Sequence, residues 1–447
     1  MNTHLNAVPT RHGDKIIPKP DGLVSLGALR AMLAERSVMA AFSAFHAQLG
    51  DVFRLTLPGF NPVVLVGPEA NEWVLVKEQP HLQWRSENDP IAQLLRHGLL
   101  VEDGPIHDAP RAVMNPALYK PALPAYVEAM VRATDAVVST WRSGQHIDLL
   151  DEMRKIALLI VYDTLFRHDV GPEVGELWAS MLRLLRFISP GLWMLWAGAP
   201  QRGYEAARRQ VDAQLFGVLT RRRATLSDDD LDLVALLIRA GYDDDLIRDQ
   251  MMTMVVAGHD TTTALLAWVW VMLGQHPAVL ARLRDEIGGV LGVDAPAMDG
   301  LRRLGYLDQV IRETLRLYPP AHLGSRIARQ DLQFDGYPIP AGSRVIYSIF
   351  LTHRLPRLWD APEEFRPDRF AGGWHPPKFT YLPFGGGPRL CIGASFGEHM
   401  AAIVLARTLQ KAELAIGTGK AHLHMGATIE PRIHGHGVPA VVERIRG

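Results

Sequence analysis

Apolar residues recur at helical spacing along most of this chain and at strand spacing mainly near its beginning. Val52 to Leu57, the Pro58–Gly59 turn and Pro62 to Val66 read as a short hairpin. After it the pattern predicts helices over about 107–126, 149–167, 174–186, 202–223, 229–238, 246–273, 277–290 and 302–317. Met251 to Leu273 is long and apolar but has His259 and Asp260 in its middle. Such a segment fits a buried helix with a polar interruption better than a membrane span.

From Pro356 to Pro388 the texture changes, with seven prolines in 33 residues. Neither a long helix nor a long strand survives that density, and so long an irregular stretch in a compact chain needs a functional reason. The helical pattern resumes at Gly393 and runs to about Leu409. No repeat or linker divides the chain, so residues 1–447 read as one domain with a flexible N-terminal segment, 1–20. That segment has charged residues and no apolar core, which excludes a signal peptide and a transmembrane anchor. His422, His424, His434 and His436 lie among Gly and Pro and read as turn and strand residues rather than a metal site.

Composition narrows the class. The 47 Lys and Arg balance 48 Asp and Glu, which gives no support to nucleic-acid binding. The single cysteine, Cys391, forbids an intrachain disulfide and points to a cytoplasmic protein. In isolation a lone cysteine reads as a small buried hydrophobe. Its neighbours, Phe384, Gly385, Gly386, Gly387, Pro388, Arg389, Leu390, Ile392 and Gly393, point elsewhere. Glycines let backbone approach a ligand closely, and a helix beginning near Gly393 aims N–H groups at the sulfur, which favours a thiolate.

This loop resembles the haem loop of the cytochrome P450 family, matching it at Phe384, Gly385, Gly387, Arg389, Cys391 and Gly393. The resemblance implies a mainly α fold with small β-sheets, a long central helix over the haem and the cysteine loop beneath it. It implies haem b as cofactor, Cys391 as axial iron ligand, Arg389 on a haem propionate and Phe384 beside the thiolate. A thiolate ligand pushes electron density onto the iron and favours O–O cleavage.

A second constellation, Ala257, Gly258, His259, Asp260, Thr261 and Thr262, falls inside the apolar helical run. Positions 257 and 261 share a helix face. A mid-helix threonine is often only a packing or kink residue, whereas a buried carboxylate must be bonded or paired. By resemblance, Ala257 borders the cofactor, Thr261 is the alcohol of the oxygen-binding groove and Asp260 is its partner in proton delivery. Further matches are His107 and Arg111, spaced i,i+4, and Arg326, all expected on the propionates. Glu313 and Arg316, spaced i,i+3, with Arg369, are expected to form a structural trio that fixes the irregular stretch.

The implied reaction inserts one atom of O2 into an organic substrate by hydroxylation or epoxidation. No flavin or iron–sulfur domain is visible, so a ferredoxin or flavodoxin with an NAD(P)H-dependent reductase is the expected electron source, and the chain is expected to be a monomer. A peroxide-driven haem-thiolate enzyme and a haem-based sensor or carrier are the alternatives. Leu94, Leu95, Ala257, Ala321 and Leu323 are candidate pocket residues, and Phe187 to Trp196 falls where the family has its mobile roof. Apolar linings predict an apolar, bulky substrate such as a terpenoid, a steroid-like compound or a lipid, with His322 available to orient one oxygen function.

Overall fold

A 32-residue helix, Asp244–Gln275, forms the axis on which most of the molecule packs. The computed structural model describes residues 15–56, 60–86, 89–171, 174–189, 202–426 and 428–446. Asp243 caps the central helix by accepting from Leu246 N at 2.8 Å, and Asp244 and Asp245 complement its positive N-terminal end. It stops at His276 because Pro277 opens the next helix, Pro277–Leu291, which leaves at 112°. Helices Leu149–Phe166, Tyr204–Ala224, Gly305–Leu317 and Ala394–Lys411 pack around this axis. Among the described residues no single helix is long and apolar enough to cross a membrane.

The expected helix over 107–126 is divided. Pro105–Leu118 ends where Tyr119 turns extended, a 3-10 segment spans Lys120–Tyr126, and Val127–Val138 then starts afresh. Pro121 and Pro124 have no N–H to continue the ladder, which accounts for the interruption. Two early helices outside the pattern-based expectation, Gly22–Glu35 and Val38–Leu49, begin at Asp21 and Ser37, whose side chains accept from Val24 N and Met39 N. Helix 229–238 shortens to Leu233–Arg239 because Asp232 caps it.

The hairpin is present as Val52–Arg54 against Val63–Leu65, with Phe53 opposite Val64; residues 57–59 of its turn lie outside the described residues. It continues into a five-stranded sheet through Arg344–Ser348, which is parallel to Val63–Leu65, then Leu323–Ala328 and Leu82–Gln83. Ala412–Ile416 and His146–Asp148 flank Pro439–Ile445 in a second sheet. His422 and His424 lie on strand Ala421–Met425, while His434 and His436 lie in the turn after Ile429–Ile433. Lys15 to Pro18 depart from the expected flexible N-terminus: Lys15 N donates to Gly336 O at 2.8 Å and Arg54 N to Pro18 O at 2.8 Å. Residues 1–14, and 190–196 of the proposed roof, lie outside the described residues. Phe187, at the start of that segment, stacks on Tyr204 with centroids 3.9 Å apart.

Candidate active site

The stretch from Pro356 to Pro388 is irregular, as its prolines require, and buried charge holds it in place. Arg316 donates to Glu313 from Nε at 2.8 Å and from a terminal nitrogen at 2.9 Å, and both side chains are 0% exposed. The remaining Arg316 donors reach the carbonyls of His353, Pro362 and Glu364 at 3.0, 2.7 and 3.0 Å. Glu313 also accepts from Arg366 N at 2.9 Å and from Arg369 Nε at 3.3 Å. Breaking such a pair on one side costs about 3–5 kcal/mol, because the other charge is left buried. His353 was not signalled by the sequence pattern. Its Nε2 accepts from Leu382 N at 2.8 Å, so Nδ1 carries the proton and donates to Arg316 O at 3.1 Å. Burial holds this ring neutral by lowering its pKa to about 3.

The trio thus anchors the loop that presents Cys391. Cys391 N donates to Phe384 O at 2.9 Å, and Leu390 N to Gly387 O at 3.0 Å. Gly387 has φ +65°, and a Cβ there would meet Leu75 O at 2.2 Å, so no other residue fits without displacing backbone. Cys391 is exposed as a residue and is the only thiol in the chain. Protein nevertheless surrounds it closely enough that burial pushes the thiol up, while the Gly393 N–H and the Arg111 charge pull it down. Helix Ala394–Lys411, which begins just after the loop, packs against the central helix.

Within the central helix every residue from Ile247 to Leu273 is buried except Ala257, Gly258 and Thr261. The shared face anticipated for 257 and 261 is therefore where this helix is open. Thr261 Oγ1 donates back to Ala257 O at 2.6 Å. Asp260 points into a different environment: it accepts from Thr428 Oγ1 at 2.8 Å and lies near Glu430 and Arg154, which are ion-paired to each other. Burial, reinforced by the Glu430 charge and only partly opposed by Arg154 and Thr428, raises its pKa to about 7. His259 is fully buried with its pKa lowered by burial to about 3, and its ring meets Trp178 edge-on at 5.9 Å. The two C-terminal partners of Asp260 carry no motif and were not legible in the sequence.

His107, Arg111, Arg326 and Arg389 collect into one cluster, positive through its three arginines. Arg389 donates to Leu100 O at 3.0 Å and to Glu102 O, and lies 3.7 Å from Asp103. Arg111 donates to Leu390 O at 2.6 Å, on the cysteine loop itself. Arg326 is 7% exposed and donates to Ser325 O at 2.7 Å. His107 is buried with Nδ1 2.7 Å from Asp108. Burial, then Arg326 and, after a partial offset by Asp103, Arg111 lower the Arg389 pKa to about 10. Burial lowers the His107 pKa as well, with Arg389 and Arg111 acting in the same direction. Three partly or fully buried arginines this close call for anionic partners, neutral His107 adds an N–H donor, and the two propionates of a haem supply that chemistry. The donor set fits the cofactor.

The pocket candidates divide by accessibility. Ala321 is exposed and Leu323 half-buried, with Ala257 on the open helix face. Leu94 and Leu95 are 0% exposed and belong to the packed core of helix Pro90–Leu95. Their neighbourhood is tied to the central helix by Leu99 N, which donates to Gln250 Oε1 at 2.9 Å. Arg248, 0% exposed, bonds Asp212, Asp249 and the Leu94 carbonyl, joining helix Tyr204–Ala224 to the axis. The His322 Nδ1 faces Pro320 O at 3.3 Å, and burial lowers its pKa to about 4.

Comparison with known proteins agrees with this geometry. The family profile for cytochrome P450 matches residues 18–425. The chain is 31% identical over 398 residues to a putative cytochrome P450 139 of Mycobacterium tuberculosis, covering 86% of this chain and 92% of the relative. It is 31% identical over 418 residues to cyclooctatin synthase of Streptomyces melanosporofaciens, covering 89% of each. Cyclooctat-9-en-7-ol 5-monooxygenase from the same organism is 31% identical over 336 residues, covering 71% of this chain and 72% of that one. The solved structure of retinoic acid-bound cyanobacterial CYP120A1 superposes with a TM-score of 0.82 at 25% identity, over 97% of this chain and 100% of that one. By sequence and by fold, this chain belongs to the cytochrome P450 family of monooxygenases.

Proposed function

We propose that the chain is a haem-thiolate monooxygenase, with Cys391 as axial ligand to haem b, acting on a bulky apolar substrate by hydroxylation or epoxidation. One observation carries the reading. The only thiol of the chain is exposed on its loop, and three arginines with buried, neutral His107 lie close by, with Asp103 and Asp108 as the carboxylates beside them. When bound, the haem supplies oxygen activation and the storage of electrons. His107, Arg111, Arg326 and Arg389 would hold its propionates, and Phe384 would pack near the thiolate.

The remaining roles follow from this chain's own groups. Ala257 is small enough to leave the central helix open at its one accessible face. Thr261 places a hydroxyl on that face, resting on the Ala257 carbonyl and free to turn toward a proton-accepting oxygen. Asp260, with a pKa of about 7, holds a proton on Oδ near neutral pH and can release it without a large free-energy change. An alcohol and an acid together favour a proton-managed reaction over a peroxide-driven one. Ala321 and Leu323 would line the substrate side, backed by the packed Leu94 and Leu95.

The names of the relatives fit such a substrate: one acts on an unsaturated alcohol and another binds retinoic acid. Both ligands are largely hydrocarbon with one oxygen function. Terpenoids, steroid-like molecules and lipids share that character, and a ferredoxin or flavodoxin with its NAD(P)H-dependent reductase would supply electrons. The test is the carbon-monoxide difference spectrum of the reduced protein, followed by titration with matched apolar and polar compounds. Wild type should give the thiolate-type band and Cys391→Ser should not. A thiolate-type band in the serine variant would refute the ligand assignment, and saturable spin-state shifts with small polar compounds alone would refute the substrate class.

A further inference from the structure

Helix Gly22–Glu35 carries Leu, Val, Ala and Met on all sides, yet only Ala28 is buried. A helix apolar around its circumference belongs in a core or against lipid. Leu23, Leu26, Leu29 and Leu33 are 80%, 43%, 46% and 66% exposed. At helical spacing these four fall within about a third of the circumference. Ile16 before the helix and Val38 after it are exposed as well. Six of the thirteen exposed large hydrophobics among the described residues thus lie between positions 16 and 38. Apolar surface gathered in this way marks an interaction site.

The charges select the partner. Between Gly22 and Ala34 the helix has no acidic residue, and Arg30 lies on the same face as the leucines. Lys19 and Arg36 stand at its two ends, and none of these three cations forms an ion pair among the described residues. The nearest acids are engaged: Asp21 caps the helix and Glu35 pairs with Lys420 at 2.7 Å. A two-fold contact with a second copy would bring Arg30 side chains into an apolar seam with no carboxylate to meet them. A bilayer with anionic headgroups takes up the leucines at its acyl boundary and pairs the cations at its surface.

We propose that this leucine face docks the protein on the surface of an anionic lipid bilayer. The contact is peripheral and independent of the reaction assigned to the haem site. The experiment is flotation of the haem-loaded protein with phosphatidylcholine vesicles, with and without phosphatidylglycerol, across a salt series. Wild type should float with the phosphatidylglycerol vesicles and be released as salt rises. The double variant Leu26→Gln, Leu33→Gln should partition at least about tenfold less, since two leucines no longer enter the apolar phase. Arg30→Gln should bind about fivefold less and respond less to salt. An unchanged melting temperature and carbon-monoxide spectrum serve as folding controls for both variants. Wild type remaining with the lipid-free fraction, or the leucine variant floating like wild type, would overturn the proposal. So would a concentration-dependent dimer that the leucine substitutions abolish, because the second copy would then be the occupant.

Discussion

Replacing Asp260 by Asn should make the protein more stable at pH 8 and worse at turnover. The side chain is buried, and its pKa rises from 3.8 to about 7. Burial is the main cause, and the Glu430 charge adds to it. A carboxyl with a raised folded-state pKa favours folding while protonated, so its contribution is complete below about pH 4 and is lost as pH climbs toward 7. At ~1.4 kcal/mol per pH decade the loss has a ceiling of about 4 kcal/mol. Relaxation and water penetration reduce it, and about 1–3 kcal/mol is the expected gain for Asp260→Asn at pH 8. Asn keeps an oxygen that accepts from Thr428, so the variant loses the charge without leaving that hydroxyl unpaired. Urea unfolding of both proteins, haem-loaded, at pH 5, 6, 7 and 8 measures the difference. The advantage of the variant should grow with pH and level off above about 7. A constant difference, or one that grows toward low pH, would refute the assignment of Asp260 as a neutral buried acid. Slower turnover in the more stable variant would identify that acid as retained for function at the expense of stability.

Two other substitutions test the loop and the helix. Thr261→Ala should leave haem loading intact but shift electrons from product to peroxide by about tenfold, the worth of one hydrogen bond at the reacting position; peroxide and product per nicotinamide oxidised measure it, and equal coupling would count against the role. Gly387→Ala should lower the yield of thiolate-ligated protein sharply, because φ +65° and the 2.2 Å approach to Leu75 O both exclude a Cβ. The left-handed strain alone costs about 1 kcal/mol, and the backbone clash adds to it; a wild-type melting temperature and carbon-monoxide spectrum in this variant would remove glycine from the account of the loop.

Much of the fold was legible locally. The run around Met251–Leu273 became the central helix because its apolar residues cover every face, and a helix of that composition has to be enclosed. The proline-rich stretch forms only short 3-10 turns between irregular segments, because its seven prolines interrupt any longer helix or strand. The glycine loop around Cys391 and the Glu313–Arg316 spacing were readable because short motifs constrain backbone or place two charges on one face. Tertiary structure alone decided what surrounds them. His353 meets Leu382, and Asp260 meets Thr428 and Glu430, only after distant segments pack together, whereas the Arg369–Glu313 contact was expected from the family resemblance and not from spacing. No periodicity encodes such a meeting. Leu94 and Leu95 show the same limit from the other side, since an apolar side chain suits a core and a pocket equally, and packing sent both into the core. The leucines of Gly22–Glu35 remain outside, where sequence pattern alone would have buried them. Spacing along the chain sets which residues share a face, and only the packed chain sets what that face meets.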